Sequence, residues 1–214
     1  RCEEAEAYIG DSDLIFCMDF NGYLRLDRLA GAVENAHAKR VLIDHHPHPT
    51  IPCVLTVSHP EMSSTCELVM RIVCQMGGFD SLDRLFAVPI YCGMMTDTGG
   101  FTYNSSTPEI FYLISLLLTK GIDKDKIYRN VYNNFSENRL RLVGHVLKDR
   151  LVVRRHSAYF ILTRQDLADY HFIKGDAEGI VNMPLQIKGL RLSISLREDT
   201  EKDNKVLVSL RSIE

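Results

Sequence analysis

The feature that most constrains the fold is a short apolar run that ends directly in a carboxylate and two imidazoles. The run covers residues 41–43 and reads Val-Leu-Ile, a composition that predicts a buried strand. It is followed without a gap by Asp44, His45 and His46, and the prolines at positions 47 and 49 prevent the strand from continuing. Since open α/β sheets bind their ligands beyond the carboxyl ends of the strands, this position favours a binding site.

Two further carboxylates follow apolar segments in the same way. The run 14–18 predicts a second buried strand and ends on Asp19. Helical spacing over residues 27–36 lies between the two strands, so the order predicts a right-handed crossover and a parallel pair. Asp19 should then emerge at the same sheet edge as Asp44. Asp97 follows the apolar, helix-like segment 82–95 and precedes two glycines that allow close backbone approach to a ligand.

These polar residues together form a donor set suited to a divalent metal ion, because they combine hard carboxylate oxygens with imidazole nitrogens. Three carboxylates that face one another, Asp19, Asp44 and Asp97, need a cation to offset their repulsion and desolvation. Each carboxylate alone could be a strand-end cap or turn, and a lone histidine pair could be a polar surface loop. The shared context favours metal ligation.

Start and stop signals predict helices through the middle of the chain. The sequence Ser-x-x-Glu at residues 64–67 is typical of a capping box that opens a helix, and the glycine pair at 77–78 ends it. Thr107 as N-cap and Pro108 at the first helical position start another helix, which Gly121 closes.

The pattern changes in the last part of the chain. Two charged amphipathic helices, beginning near Asp123 and Ser136, predict a connector. A hairpin around residues 156–157 and alternating strands over 190–197 and 206–210 then predict a second, smaller lobe. The predicted fold class is therefore α/β, with a parallel-sheet lobe, a helical connector and a smaller α/β lobe whose sheet is mixed or antiparallel. The predicted boundaries are residues 1–120, 121–150 and 151–214.

Composition excludes some classes of protein. The net charge of −3 over 214 residues argues against a surface that coats polyanions, and no apolar run reaches membrane-spanning length. The six cysteines show no Cys-x-x-Cys spacing and lie mostly in apolar runs. They predict buried free thiols, a reducing compartment and hence a cytoplasmic protein.

Several motifs resemble, in order, those of the DHH phosphoesterases. The sequence Asp-His-His at 44–46 resembles the name-giving signature of that family. Asp-Phe-Asn at 19–21 with Arg25 resembles the preceding motif, and the segment 93–99 resembles the fourth motif. Two segments near the end of the chain resemble the DHHA1 substrate-binding domain that accompanies the family. They are Gly-Ile-Val-Asn at 179–182 and Ser-Leu-Arg-Ser at 209–212.

The resemblance implies a role for each matching residue. Asp19 and Asp97 would bridge two Mn²⁺ ions and His45 would bind one of them, with Mg²⁺ and Co²⁺ as alternative ions. His46 would meet the scissile phosphate or assist the leaving group. Asp44 would orient an imidazole or a water on the metal.

The resemblance also implies a substrate class. One bacterial subgroup of the family hydrolyses short oligoribonucleotides and 3′-phosphoadenosine 5′-phosphate, and Arg25 and Arg211 would bind such a substrate, Arg211 by gripping a phosphate. Cyclic-dinucleotide phosphodiesterase activity and a nucleotide-binding module without catalysis are the alternatives. The expected partners are short RNA or small nucleotides, not a membrane or duplex DNA, and a homodimer is left open.

Two elements of the family pattern do not occur in this sequence. One is a first motif with a histidine and Asp-x-Asp, and the other is a glycine-rich loop after Ser-Leu-Arg-Ser. Because both would lie at the chain ends, and the sequence starts with Arg1, we expect it to be part of a longer protein. We expect this span alone to expose an apolar sheet face and an unpaired strand edge, to bind Mn²⁺ weakly and not to turn over substrate.

Overall fold

The computed structural model describes residues 2–213, which form two compact units that divide between Val131 and Tyr132. The helices and strands of the first unit, in chain order, are α1 (Cys2–Gly10), β1 (Leu14–Met18), α2 (Ala30–Asn35), β2 (Lys39–Asp44), β3 (Leu55–Ser58), α3 (Thr65–Gln75), α4 (Arg84–Asp97), α5 (Pro108–Thr119) and α6 (Lys124–Tyr132). A 3₁₀ helix, Tyr23–Leu29, precedes α2.

The sheet of the first unit has the order β1-β2-β3, and both pairings are parallel. In the register, Met18 lies opposite Ile43, and Asp44 lies opposite Ser58. The predicted parallel pair is therefore confirmed. Because parallel strands end at one edge of a sheet, Asp19 and the residues after β2 emerge together there.

The first strand is buried on one face only, so the prediction of a fully buried strand was wrong. Cys17 is completely buried and packs with Val33, Leu42 and Ile51, whereas Phe16 on the opposite face is 55% exposed. Leu14 and Met18 share the exposed face with Phe16, since side chains alternate along a strand. The expected exposed apolar face and the free edge of β1 are both present in this unit.

The start of α2 differs from the prediction. The segment expected to be one helix over 27–36 is the end of the 3₁₀ helix followed by α2, because Asp27 has a φ of +46° and interrupts helical geometry. Thr107 at the N-cap position precedes α5, and Gly121, with a φ of +73°, follows the C-cap residue Lys120, so both predicted flanking residues are in place. Thr107 takes the N-cap position without a side-chain hydrogen bond, so the predicted cap contributes its backbone conformation only.

Helices α3 and α4 pack closely because α4 carries a glycine at the contact. A Cβ atom added to Gly93 would lie 2.2 Å from Sγ of Cys66 in α3. Asp83 caps α4 by accepting hydrogen bonds from the backbone N–H groups of Leu85 and Phe86. The helix continues through Pro89 and ends at Asp97, so the Gly93 contact sets the position of that carboxylate.

The second unit contains the remaining elements. They are α7 (Glu137–His145), β4 (Val152–Arg154), β5 (Ser157–Leu162), α8 (Arg164–Asp169), β6 (Leu192–Glu198) and β7 (Val206–Ser212). The sheet order is β4-β5-β6-β7, with β5 and β6 parallel and the outer pairs antiparallel. Of the two predicted alternatives, a mixed or an antiparallel sheet, the structure has the mixed one. Of the two helices expected in a connector, α6 lies almost wholly in the first unit and α7 in the second.

A buried carboxylate caps α8 in the second unit. Thr163 and Asp166 form a reciprocal capping box, and Arg150 donates a hydrogen bond to Asp166 at 2.7 Å. Burial raises the pKa of Asp166, but the hydrogen bonds from Arg150 and Thr163 outweigh it and hold the pKa well below its usual range. Asp166 is therefore ionised at neutral pH.

All six cysteines are free thiols, as predicted, but only Cys17 is buried and Cys2 is exposed. Among residues 2–213, no helix is both long enough and apolar enough to cross a membrane.

We expect Gly93→Ala to lower the free energy of unfolding by about 1–3 kcal/mol, because the added methyl group overpacks the contact with Cys66. Gly144→Ala is the matched control: it lies in α7 with nothing within 4 Å of an added Cβ, so alanine should be neutral or stabilise by up to ~1 kcal/mol. Urea unfolding of both variants checks this. Equal stabilities would contradict the close α3–α4 contact.

Candidate metal centre

Asp19 lies directly after β1 in an unusual backbone conformation. Its φ is +66°, in the left-handed region that few residues other than glycine adopt. Its N–H donates to the carbonyl of Ile43 at 3.2 Å, which continues the β1–β2 ladder by one residue. Its Oδ1 accepts a hydrogen bond from the Thr65 hydroxyl at 2.9 Å. These contacts fix the direction in which the carboxylate leaves the sheet edge.

His45 lies directly after β2 and faces two carboxylates. Its Nε2 is 3.6 Å from Oδ1 of Asp19 and 3.8 Å from Oδ2 of Asp97. Its Nδ1 is 3.3 Å from the carbonyl of Met62. Since a carbonyl oxygen can only accept, Nδ1 carries a proton in this contact, and Nε2 is the ring nitrogen that faces the carboxylates. This is the arrangement in which histidine binds metals.

Asp97, the second carboxylate that His45 faces, is the last residue of α4. Burial raises its pKa, and the charge of Asp19 raises it further, while His45 and His46 oppose the shift. Two carboxylates thus lie beside one imidazole, with 55% of the Asp19 side chain and 36% of the Asp97 side chain exposed, and a cation there would relieve their repulsion.

His46 is held at both ring nitrogens. Asp44 is 0% exposed, and its Oδ1 accepts a hydrogen bond from Nδ1 of His46 at 2.7 Å. Nη1 of Arg25 is 3.2 Å from Nε2 of His46, and since a guanidinium only donates, Nε2 is the acceptor. The other oxygen of Asp44, Oδ2, is buried without a hydrogen-bond partner among residues 2–213.

The donor set fits a divalent ion. Asp19, His45 and His46 each offer a ligand atom, and these atoms lie within 4.8 Å of one another. Asp97 is directed at the same imidazole, so the structure brings together all the residues predicted as metal ligands. Carboxylate oxygen and imidazole nitrogen suit Mn²⁺, Mg²⁺ and Co²⁺, and the assignment of individual ligands stays a prediction.

Comparison with known proteins gives the family. A profile described as "DHH family, N-terminal domain" matches residues 2–94, which include Asp19 and the Asp44-His45-His46 sequence. These residues form a DHH-family domain.

Relatives extend the likeness beyond the domain. The crystal structure of an exopolyphosphatase-related protein from Bacteroides fragilis is 49% identical, covers 100% of this chain and superposes with a TM-score of 0.95. An uncharacterized protein of Mycoplasma genitalium is 32% identical over 71% of this chain. The bifunctional oligoribonuclease and PAP phosphatase of Thermus thermophilus is 26% identical over 79% of this chain. The chain spans 62%, 45% and 49% of these three proteins, respectively.

The residues around the start of α3 supply contacts that sequence reasoning missed. The Met62 carbonyl contacts His45, and the Thr65 hydroxyl contacts Asp19. Neither Met62 nor Thr65 belongs to a family motif named above. The one sequence signal that points to these contacts is the predicted helix cap at Ser64, because a cap fixes the residues on either side of a helix start. That cap is confirmed: the Ser64 hydroxyl accepts from the N–H of Glu67 at 3.0 Å. The reciprocal half differs, because the Glu67 carboxylate accepts from Ser63 instead of Ser64.

A cysteine with a raised pKa lies beside the DHH site. Burial, together with the charges of Asp97 and Asp19, raises the pKa of Cys66 to about 11. The thiol is therefore neutral near pH 7 in the metal-free protein.

The remaining predicted site residue lies in the second unit. Arg211 is an exposed residue of β7, and its Nη1 donates to the carbonyl of Leu210 at 2.8 Å. It lines a depression together with Lys174, Arg197 and Glu178, so three cationic side chains and one carboxylate line it. The Arg197 guanidinium lies 4.9 Å from the ring centre of Phe172. The depression is cationic, but a role for Arg211 in substrate binding stays a prediction.

We expect Asp97→Ala to weaken Mn²⁺ binding by at least about tenfold. Loss of a residue that only supports a metal ligand already costs about that much, and Asp97 is proposed to be a ligand itself. The metal-free variant should unfold at a higher temperature than the parent protein, because the raised pKa of Asp97 shows that folding disfavours its charged form. Calorimetric titration and thermal melts check both effects. Asp80→Ala, at an exposed aspartate of the same unit, is the control and should change neither. Unchanged Mn²⁺ affinity of Asp97→Ala would remove Asp97 from the centre.

Proposed function

We propose that this chain is part of a metal-dependent phosphoesterase of the DHH family. The observation that carries the proposal is the position of His45 Nε2, 3.6 Å from the carboxylate of Asp19 and 3.8 Å from that of Asp97. Two carboxylates and a correctly oriented imidazole nitrogen, gathered at the end of parallel strands, are suited to holding a divalent ion. The ion we propose is Mn²⁺, and in this reading Asp19, His45 and Asp97 hold it.

Such an ion, when bound, neutralises charge on a phosphoryl group and lowers the pKa of water. In this proposal, His46 and Arg25 act on the substrate directly, and Asp44 acts through His46. Asp44 keeps the proton of His46 on Nδ1, so Nε2 presents a lone pair that accepts a proton or, once protonated, donates it to a leaving oxygen. In this structure Arg25 donates to that nitrogen, so its guanidinium has to turn to a phosphate oxygen of the substrate before Nε2 takes up or releases a proton.

The substrates we propose are short oligoribonucleotides, 3′-phosphoadenosine 5′-phosphate, or both. The Thermus thermophilus relative, a bifunctional oligoribonuclease and PAP phosphatase that is 26% identical, supports this choice. The cationic depression around Arg211 is compatible with a nucleotide phosphate in the second unit. The partner of the protein would then be a small nucleotide and not duplex DNA.

The test is an assay of the natural full-length protein with Mn²⁺ and three substrates. These are a short oligoribonucleotide, 3′-phosphoadenosine 5′-phosphate and a cyclic dinucleotide, with Asp97→Ala as the inactive control. We expect hydrolysis of one or both of the first two substrates. Hydrolysis of the cyclic dinucleotide alone would favour the alternative phosphodiesterase. Binding of nucleotide without hydrolysis of any substrate would contradict catalysis and favour a regulatory module.

We expect Arg211→Ala to raise the KM for a short substrate more than it lowers kcat, because the proposed contact is with a phosphate and not with the reacting atoms. A charge-assisted hydrogen bond contributes about 1.5–3 kcal/mol, which corresponds to about tenfold or more in KM. Steady-state kinetics check this, with Arg154→Ala on β4 of the same unit as the control. An unchanged KM would make Arg211 a structural residue only.

A further inference from the structure

A buried glutamate next to the DHH site has all of its hydrogen-bonding capacity in use. Glu67 is 2% exposed. Its Oε2 accepts from the N–H of Ser63 at 3.0 Å and from the Ser63 hydroxyl at 2.6 Å. Its Oε1 accepts from Nε and Nη2 of Arg71 at 2.8 and 2.6 Å. Burial raises the pKa of Glu67, but these donors outweigh burial and lower the pKa below its usual value.

The segment that Glu67 holds contacts two members of the candidate centre. Before Ser63, the carbonyl of Met62 receives the Nδ1–H of His45 at 3.3 Å. After Ser64, the hydroxyl of Thr65 donates to Oδ1 of Asp19 at 2.9 Å. The Met62 carbonyl also receives a hydrogen bond from the Asn104 side chain at 3.3 Å, so its direction is fixed from two sides.

We propose that Glu67 is a positioning residue of the metal centre. By anchoring Ser63, the Glu67 carboxylate fixes residues 62–65. Through them it holds the proton of His45 on Nδ1, so that Nε2 faces the carboxylates, and it sets the rotamer of Asp19. The expected effect on Mn²⁺ affinity rests on the proposed function. The effect on His45 does not, because the orientation of His45 can be measured in the metal-free protein.

A simple helix cap does not account for these contacts. In a reciprocal capping box the third helical residue bonds to the N–H of the N-cap residue itself, as Asp166 does with Thr163 in α8. Glu67 reaches one residue further back, to both the N–H and the hydroxyl of Ser63. Its contacts therefore shape the segment before the helix, where the Met62 carbonyl is directed at His45.

The experiment compares Glu67→Gln with a matched control in the other unit, Asp166→Asn. Both variants neutralise a buried carboxylate in the first turn of a helix that pairs with an arginine, but only Glu67 contacts the segment at the centre. Glutamine has one acceptor oxygen, so it cannot serve Ser63 and Arg71 together. Ser63→Ala is a milder third variant that removes the hydroxyl and keeps the backbone N–H, for use if Glu67→Gln does not fold.

Two readouts separate positioning from stability. The imidazole nitrogen chemical shifts of His45 report which ring nitrogen carries the proton in the metal-free protein, and calorimetry reports the Mn²⁺ dissociation constant. We expect Glu67→Gln to move the His45 shifts toward the Nε2–H tautomer and to weaken Mn²⁺ binding by about 10–100-fold. Asp166→Asn should lower the melting temperature and leave both readouts as in the parent protein.

A lowered melting temperature in Glu67→Gln, with His45 shifts and Mn²⁺ affinity equal to those of the parent, would overturn the inference. The same holds if Asp166→Asn changes the readouts as much as Glu67→Gln does. If the parent binds no Mn²⁺, the proposed function fails, and the His45 shifts alone then decide whether Glu67 positions the histidine.

Discussion

Asp19 and His45 meet because β1 and β2 run parallel, with Met18 opposite Ile43. The pairing continues past the strand ends, where the N–H of Asp19 donates to the carbonyl of Ile43. A shift of one residue in this register would turn the side chains of β1 to the other face of the sheet. It would also move the Asp19 carboxylate away from Nε2 of His45. The geometry of the candidate centre therefore depends first on the register of two short strands.

The second requirement is that helices bring other groups to the same edge. The end of α4 carries Asp97, and its place depends on Gly93, where only a hydrogen atom fits against Cys66. The start of α3 carries Thr65 and follows the Met62 carbonyl. In the folded protein, burial and the charge of Asp19 raise the pKa of Asp97. This arrangement is unfavourable for stability alone, and binding of a cation would offset it.

The sequence could predict the strands and the convergence of their ends, because apolar runs and the handedness of crossovers are local or general rules. Asp19, Asp44, His45 and Asp97 could be named for the same reason. Sequence could not predict that Phe16 is exposed, since burial depends on what packs against a strand and not on its composition. Sequence also could not predict the contacts of Met62 and Thr65, because they depend on where the loop before α3 and the start of that helix lie in the folded protein. A backbone carbonyl carries no sequence signal, so its contact with His45 is visible only in the structure.

The most direct test of the account is anomalous diffraction at the manganese edge from crystals of this protein soaked in Mn²⁺. The account predicts an anomalous peak within bonding distance of Asp19, His45 and Asp97, with Nδ1 of His45 still bonded to the Met62 carbonyl. A peak at other residues, or none at saturating Mn²⁺, would contradict a metal centre at the ends of β1, β2 and α4.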